Sequence, residues 1–201
     1  MKTICQNLTF PAIKYVSIFV KSTTKAYARQ HQVPLHQAQE QIAQDSGFAN
    51  FHELTAVAAK RPNDGRLMEA ALGVTRLEDA VFENSIMSDL DSLVEDMMSG
   101  AIAETNAYNF GVEDVEVTSS QYDPTNGILT LGLNFSYTGE QDPDRVYHGN
   151  AFYLTAMLNL FRKDGEWQLA EDEPLTILSD ESDQDRDYAE EEYWRDSERA
   201  S

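Results

Sequence analysis

Leu129, Leu131, Leu133, Phe135 and Tyr137 occupy every second position of one stretch, and Thr130, Gly132, Asn134 and Ser136 fill the places between them. Neighbouring side chains of a strand point to opposite faces, so a period of two fits a strand with one buried face and does not fit a helix. Phe152, Leu154, Ala156, Leu158 and Leu160 repeat the pattern. Asp164-Gly165 then offers a hairpin turn, and Trp167 and Leu169 carry the oily face onwards towards Leu178. Val112 to Tyr122 reads as the preceding strand, with Asp123 to Gly127 as its turn. These segments are expected to form a four-stranded antiparallel meander. A sheet with one oily face must cover it, and the helical segments upstream are the available cover.

Upstream, the apolar period lengthens to that of a helix. Leu77, Val81, Ile86, Leu90, Leu93, Val94 and Met97 suit a long amphipathic helix from Thr75 to about Asn106, with a break near Gly100 and Thr75 and Glu78 as its cap. Earlier still, Pro11 and Pro34 each suit the first turn of a helix, and Gly47 ends the second one. Asn50-Phe51-His52-Glu53 has the spacing of a capping box and starts a third, whose oily side is Phe51, Leu54, Val57 and Ala58. Arg61 to Gly65 breaks the pattern and marks a boundary. The expected fold class is therefore α+β. A three-helix module covers 1–62, and an α+β domain of helices on the four-stranded sheet covers 66–178. An acidic tail over 179–201 is too poor in apolar groups to order itself beyond anchors such as Tyr188, Tyr193 and Trp194.

Charge follows the same division. The whole chain carries −20, yet residues 1–66 hold eight basic against four acidic side chains, a net of +4. Residues 180–201 alone hold ten acids. A basic head on an acidic body suggests two surfaces with different partners. One cysteine, Cys5, rules out an internal disulfide and suits a reducing cytoplasm. Gln6, Asn7, Pro11 and Lys14 interrupt any signal-peptide core, and no run approaches the about 20 apolar residues of a membrane helix.

The run Pro34-Leu35-His36-Gln37-Ala38-Gln39-Glu40-Gln41-Ile42-Ala43, followed by Gly47 to Leu54, resembles a small helical domain of bacterial and plasmid-borne proteins labelled glyoxalase-related. The resemblance implies a helical packing module. It carries no metal site and no catalysis, because glyoxalases place their His and Glu ligands on paired βαβββ modules that this segment lacks. Ala43 and Gly47 also have the separation of a helix-turn-helix unit, although Ser46 stands where an apolar residue is usual. The helix-then-meander order of the body resembles cystatin-like and nuclear-transport-factor-like folds in topology, and such sheets curve around a ligand or pair with a second copy.

Catalytic signatures are weak. Glu140, Asp142, Asp144 and His148 gather in one loop, but their spacing fits no calcium frame, and a solvated hairpin tip is the simpler reading. His31, His36 and His52 make no His-x3-His pair, and no glycine-rich phosphate loop or nucleophile elbow occurs. The expectation is a cytoplasmic, non-enzymatic accessory protein of a plasmid or mobile element, with no cofactor and no metal. Its basic head would dock onto DNA or a protein through Lys14, Lys21, Lys25, Arg29, Asn50, His52, Lys60 and Arg61. Its body would mediate assembly, including homodimer formation through the sheet. Two alternatives stand beside it. An acidic body can imitate the phosphate track of DNA and occupy a basic complex. Alternatively, the polar face of the sheet (Thr130, Asn134, Ser136, Thr155, Asn159, Gln168) can line a small-molecule pocket.

Overall fold

The structure, a computed structural model, describes residues 24–61, 64–123, 125–163, 165–188, 192 and 195. Two compact units emerge, divided between Asp79 and Ala80, with the short turn at 125–126 counted with the first. The sequence draws the boundary earlier, at 62–66. The difference lies in Leu67, which is buried with Ala43, Phe48, Leu54, Val57 and Ala58 in one core cluster. The helix after the loop therefore belongs to the head.

The head contains a helical stretch over 24–31, then α1 (Leu35–Asp45), α2 (Phe51–Lys60) and α3 (Gly65–Leu72). α1 ends in a tight left-handed cap. Gly47, at φ +75°, lets its own N–H reach the Gln44 carbonyl at 3.0 Å while Phe48 N–H reaches Ala43 at 2.9 Å. A side chain at that φ would be strained, which is why glycine stands there. Phe48 is thereby turned into the core.

A 3-10 turn, Leu77–Phe82, runs across the division and leads into the first element of the body, α4 (Asn84–Glu104). The single long helix expected from Thr75 is broken at Glu83, whose extended backbone caps α4, and α4 runs through Gly100 without interruption. Ile86, Leu90, Val94 and Met98 recur at every fourth position and are all buried, so α4 lays one stripe inward. Met97, placed on that stripe from the sequence, is 49% exposed, and Met98 takes the core position instead. α4 packs on β1 and β4 of the sheet.

The sheet comprises β1 (Ala107–Asp123), β2 (Ile128–Gln141), β3 (Ala151–Lys163), β4 (Glu166–Leu169) and β5 (Leu175–Ser182). The first three form an antiparallel meander, and β4 and β5 share the remaining edge of β3. β4 takes Leu160 to Lys163, while β5 takes Phe152 to Leu158. The strand expected to run unbroken from Trp167 to Leu178 is thus two strands. Between them the chain leaves the ladder at 171–174 and returns when Pro174 accepts the Asn159 N–H at 2.8 Å. β5 continues through Ser182 and a helical stretch covers 183–188, so the first ten residues of the acidic tail are ordered. Residues 189–191, 193–194 and 196–201 lie outside the described set, as do Lys14, Lys21, Tyr193 and Trp194.

β1 is 17 residues long against 14 in β2, and its register slips by one residue at three places. Each extra residue is a bulge that adds twist, so the sheet curls. On β2 and β3 the alternation read from the sequence holds: Leu129, Leu131, Leu133, Leu158 and Leu160 have no exposed surface at all. Gly139 admits the Phe110 ring, which lies 2.6 Å from where a Cβ would sit and stacks on Tyr137 at 5.4 Å.

Tyr137 is fully buried, and its hydroxyl has no hydrogen-bond partner among the described residues. Burial, with the negative charges of Asp91 and Glu95 added, pushes its pKa up from 10.0 to about 12. The folded protein holds this proton more tightly than the unfolded chain does. The corresponding stability is whole below pH 10 and is lost as pH rises through about 12. Tyr137→Phe is expected to raise stability by about 1 kcal/mol, because it deletes an unpaired buried polar group. It should also weaken alkaline unfolding, leaving the share of Tyr147, whose hydroxyl Asp183 likewise raises to about 12. Denaturant midpoints at neutral and alkaline pH check both. A loss of stability in Tyr137→Phe would mean that the hydroxyl has a partner.

Candidate functional site

Two surfaces come into question, one in each unit. In the head, the first turn of α2 is built from the predicted capping box. Asn50 Oδ1 accepts the Glu53 N–H at 2.9 Å, and a Glu53 carboxylate oxygen accepts the Ala49 N–H at 2.7 Å. A carboxylate oxygen of Glu40, from α1, accepts the Phe51 N–H at 3.1 Å. Asn50 is therefore committed to the fold. The Glu40 carboxylate sits on the first amide of α2 and Glu53 lies in its first turn, where the helix dipole favours negative charge.

The basic residues of the head divide in the same way. Arg66 lies over the Phe48 ring at 4.1 Å, donates to the Gly47 carbonyl at 3.0 Å and pairs with Asp64 and Glu53. The Arg66 guanidinium holds the Asp64 carboxyl below its ordinary pKa. Arg61 pairs with Asp64 at 3.5 Å. Lys25, Arg29, His52 and Lys60 are exposed. Asn50 and Arg61 are exposed as well, but the Asn50 side-chain oxygen is spent on the cap and Arg61 is paired with Asp64, so four of the six described residues of the expected set remain uncommitted.

In the body, the face of the sheet carrying the polar half of the alternation forms an open cleft of about 350 Å³. β2 contributes Asn134 and Ser136, and β3 contributes Tyr153 and Thr155. In the antiparallel ladders Tyr153 lies opposite Ser136 on one side and Glu181 on the other. β1 adds Asp114 and Glu116. Asp114 sits in a bulge with φ +53°, a conformation that non-glycine residues adopt at a cost. Bulges next to sites re-aim side chains, and this one brings Asp114 to the cleft. Thr130 and Asn159, expected on the same polar face, instead bond each other at 2.8 Å outside the cleft.

Arg186, from the helical stretch over 183–188, closes one end of the cleft. Its guanidinium lies 3.4 Å from the centre of the Tyr153 ring, and its Nε donates to Glu181 at 2.9 Å. That stretch is anchored independently. Ser182 Oγ accepts the Asp185 N–H at 3.1 Å, and the Asp185 carboxylate accepts the Ser182 N–H at 3.1 Å. The Ser182 hydroxyl, which donates to the Asp185 carboxylate at 2.7 Å, and the Ser182 N–H hold the Asp185 carboxyl below its ordinary pKa. Asp183 accepts from the Tyr147 hydroxyl and from the Asn150 N–H. Ser182-Asp183-Gln184-Asp185 is a capping-box spacing, and it is the signal in the sequence that would have revealed this ordered turn.

The loop holding Glu140, Asp142, Asp144 and His148 behaves as a hairpin tip. Asp142 pairs with Arg145 at 3.5 Å and accepts the Asp144 N–H at 2.9 Å, while His148 is exposed. Among the described residues no group of three or more His, Cys, Asp or Glu is arranged to hold a metal ion, and no helix is long and apolar enough to cross a membrane. No protein family, no curated protein and no solved structure matches this chain.

Proposed function

We propose that this is a non-enzymatic accessory protein, of the kind carried by plasmids and mobile elements, whose helical head docks onto another protein while its α+β body serves assembly. One observation favours protein over DNA as the partner of the head. In a helix-turn-helix reader the first residues of the second helix approach base edges between two phosphate tracks. Here that end of α2 carries the carboxylates of Glu53 and Glu40, and the Asn50 oxygen is already spent on the cap. Negative charge at this point repels the DNA backbone. What α2 leaves exposed is His52, Thr55, Ala59 and Lys60, a mixed surface suited to protein contact.

Anisotropy of labelled duplex DNA titrated with the full chain at low salt tests the choice. No binding is expected. A photo-crosslinker placed at Thr55 should trap one partner protein, and adding Thr55→Arg to a separate chain should prevent competition by that chain. DNA binding that weakens with Lys60→Glu would overturn the reading in favour of nucleic acid.

A further inference from the structure

We propose that the cleft on the polar face of the sheet is a receptor for an arginine side chain of a partner protein, and that Arg186 is its built-in placeholder. The proposal concerns the body alone and goes beyond the docking role of the head. Three features carry it. A guanidinium is already seated there, over the Tyr153 ring at 3.4 Å from its centre and bonded to Glu181. Planar stacking on an aromatic with a carboxylate at the edge is what guanidinium favours over ammonium. The charge is lopsided: Asp114, Glu116 and Glu181 line the cleft against Arg186, so one guanidinium leaves carboxylate in excess. Finally, the volume, about 350 Å³, is at the small end for a metabolite and sufficient for one long side chain.

The placeholder is loosely held. The Arg186 and Glu181 side chains are 49% and 47% exposed, so their pair is weak and solvent-screened. The backbone that presents Arg186 is fixed by Ser182, Asp185 and Asp183 rather than by Arg186 itself. The guanidinium can leave while the turn stays, and a second arginine can take its seat.

The test is calorimetric titration of the full chain with acetylated tri-arginine amide, with tri-lysine amide as the comparison. Arg186→Gln is expected to bind tri-arginine about tenfold more tightly than the native chain, the combined weight of one exposed cation–π contact and one exposed ion pair. Arg145→Gln makes the same change in net charge away from the cleft and should stay within about twofold of the native chain. Adding Tyr153→Leu or Glu181→Gln to Arg186→Gln should abolish the gain. Two results would overturn the proposal: an equal gain in Arg186→Gln and Arg145→Gln, or an equal gain for tri-lysine. Either would mean that net charge attracts the peptide and the seat does not. Unchanged melting of Arg186→Gln confirms that the fold is intact.

Discussion

Truncating Trp167 to alanine is expected to cost about 3–5 kcal/mol, as large aromatic truncations in a closed core do. Trp167 is 1% exposed and meets Tyr122 edge-on, with ring centres 6.4 Å apart. It lies on β4, a strand of four residues that α4 packs against. So short a strand has few ladder bonds, and its place depends on this one side chain. The indole N–H has no hydrogen-bond partner among the described residues. Trp167→Phe therefore breaks no hydrogen bond, and should cost clearly less than the alanine variant. Chemical denaturation of the pair decides it: near-equal losses would show that the N–H, and not the ring volume, holds β4.

Leu131→Ala is expected to cost about 2–5 kcal/mol. Leu131 sits in the middle of β2, between Ser120 on β1 and Leu158 on β3, with no exposed surface. A neighbour flanked on both sides by paired strands cannot close the cavity by moving the backbone, so the upper half of that range is expected. Thr130→Ala, one residue away, points to the other face and gives up only the 2.8 Å contact with Asn159. Its loss should be about 1 kcal/mol. Urea midpoints with an unchanged slope would check both values.

The alternation on β2 and β3 made the sheet legible because most residues there have a partner on both sides and one face is closed to water. Legibility fails where a second constraint enters. Nothing in the pattern of β1 marks its three bulges: an inserted residue shifts the phase, and Val112–Tyr122 then reads shorter than the strand that extends from Ala107 to Asp123. The division between β4 and β5 escaped for a similar reason. The excursion at 171–174 is closed on Asn159, whose backbone N–H donates to the Pro174 carbonyl and whose side-chain amide donates to the Glu173 carbonyl, and the backbone carbonyls that accept leave no mark on composition. In the head, the Asn50–Glu53 cap and Gly47 were visible because both depend on residue type. The joining of Leu67 to the head core was not, since the loop at 61–65 reads as a boundary whatever follows it. Arg186 was hidden by its setting, a single arginine in a run of acids that suggested disorder. The seat on Tyr153 arises only when β5 and β3 pair.

One phase sets the sheet: odd positions of β2 look into an oily core, and Thr130 and Asn134, at even positions, look out onto the polar face. Thiol labelling measures that phase directly. In a chain whose Cys5 is replaced by serine, one cysteine is placed at Asn134 and, in a second chain, at Leu133. Asn134 is exposed and lines the cleft, whereas Leu133 has no exposed surface. The expected result is prompt labelling at 134 and labelling at 133 slowed by several orders of magnitude, limited by opening of the core. Equal rates at the two positions, or protection at 134 and reaction at 133, would contradict it.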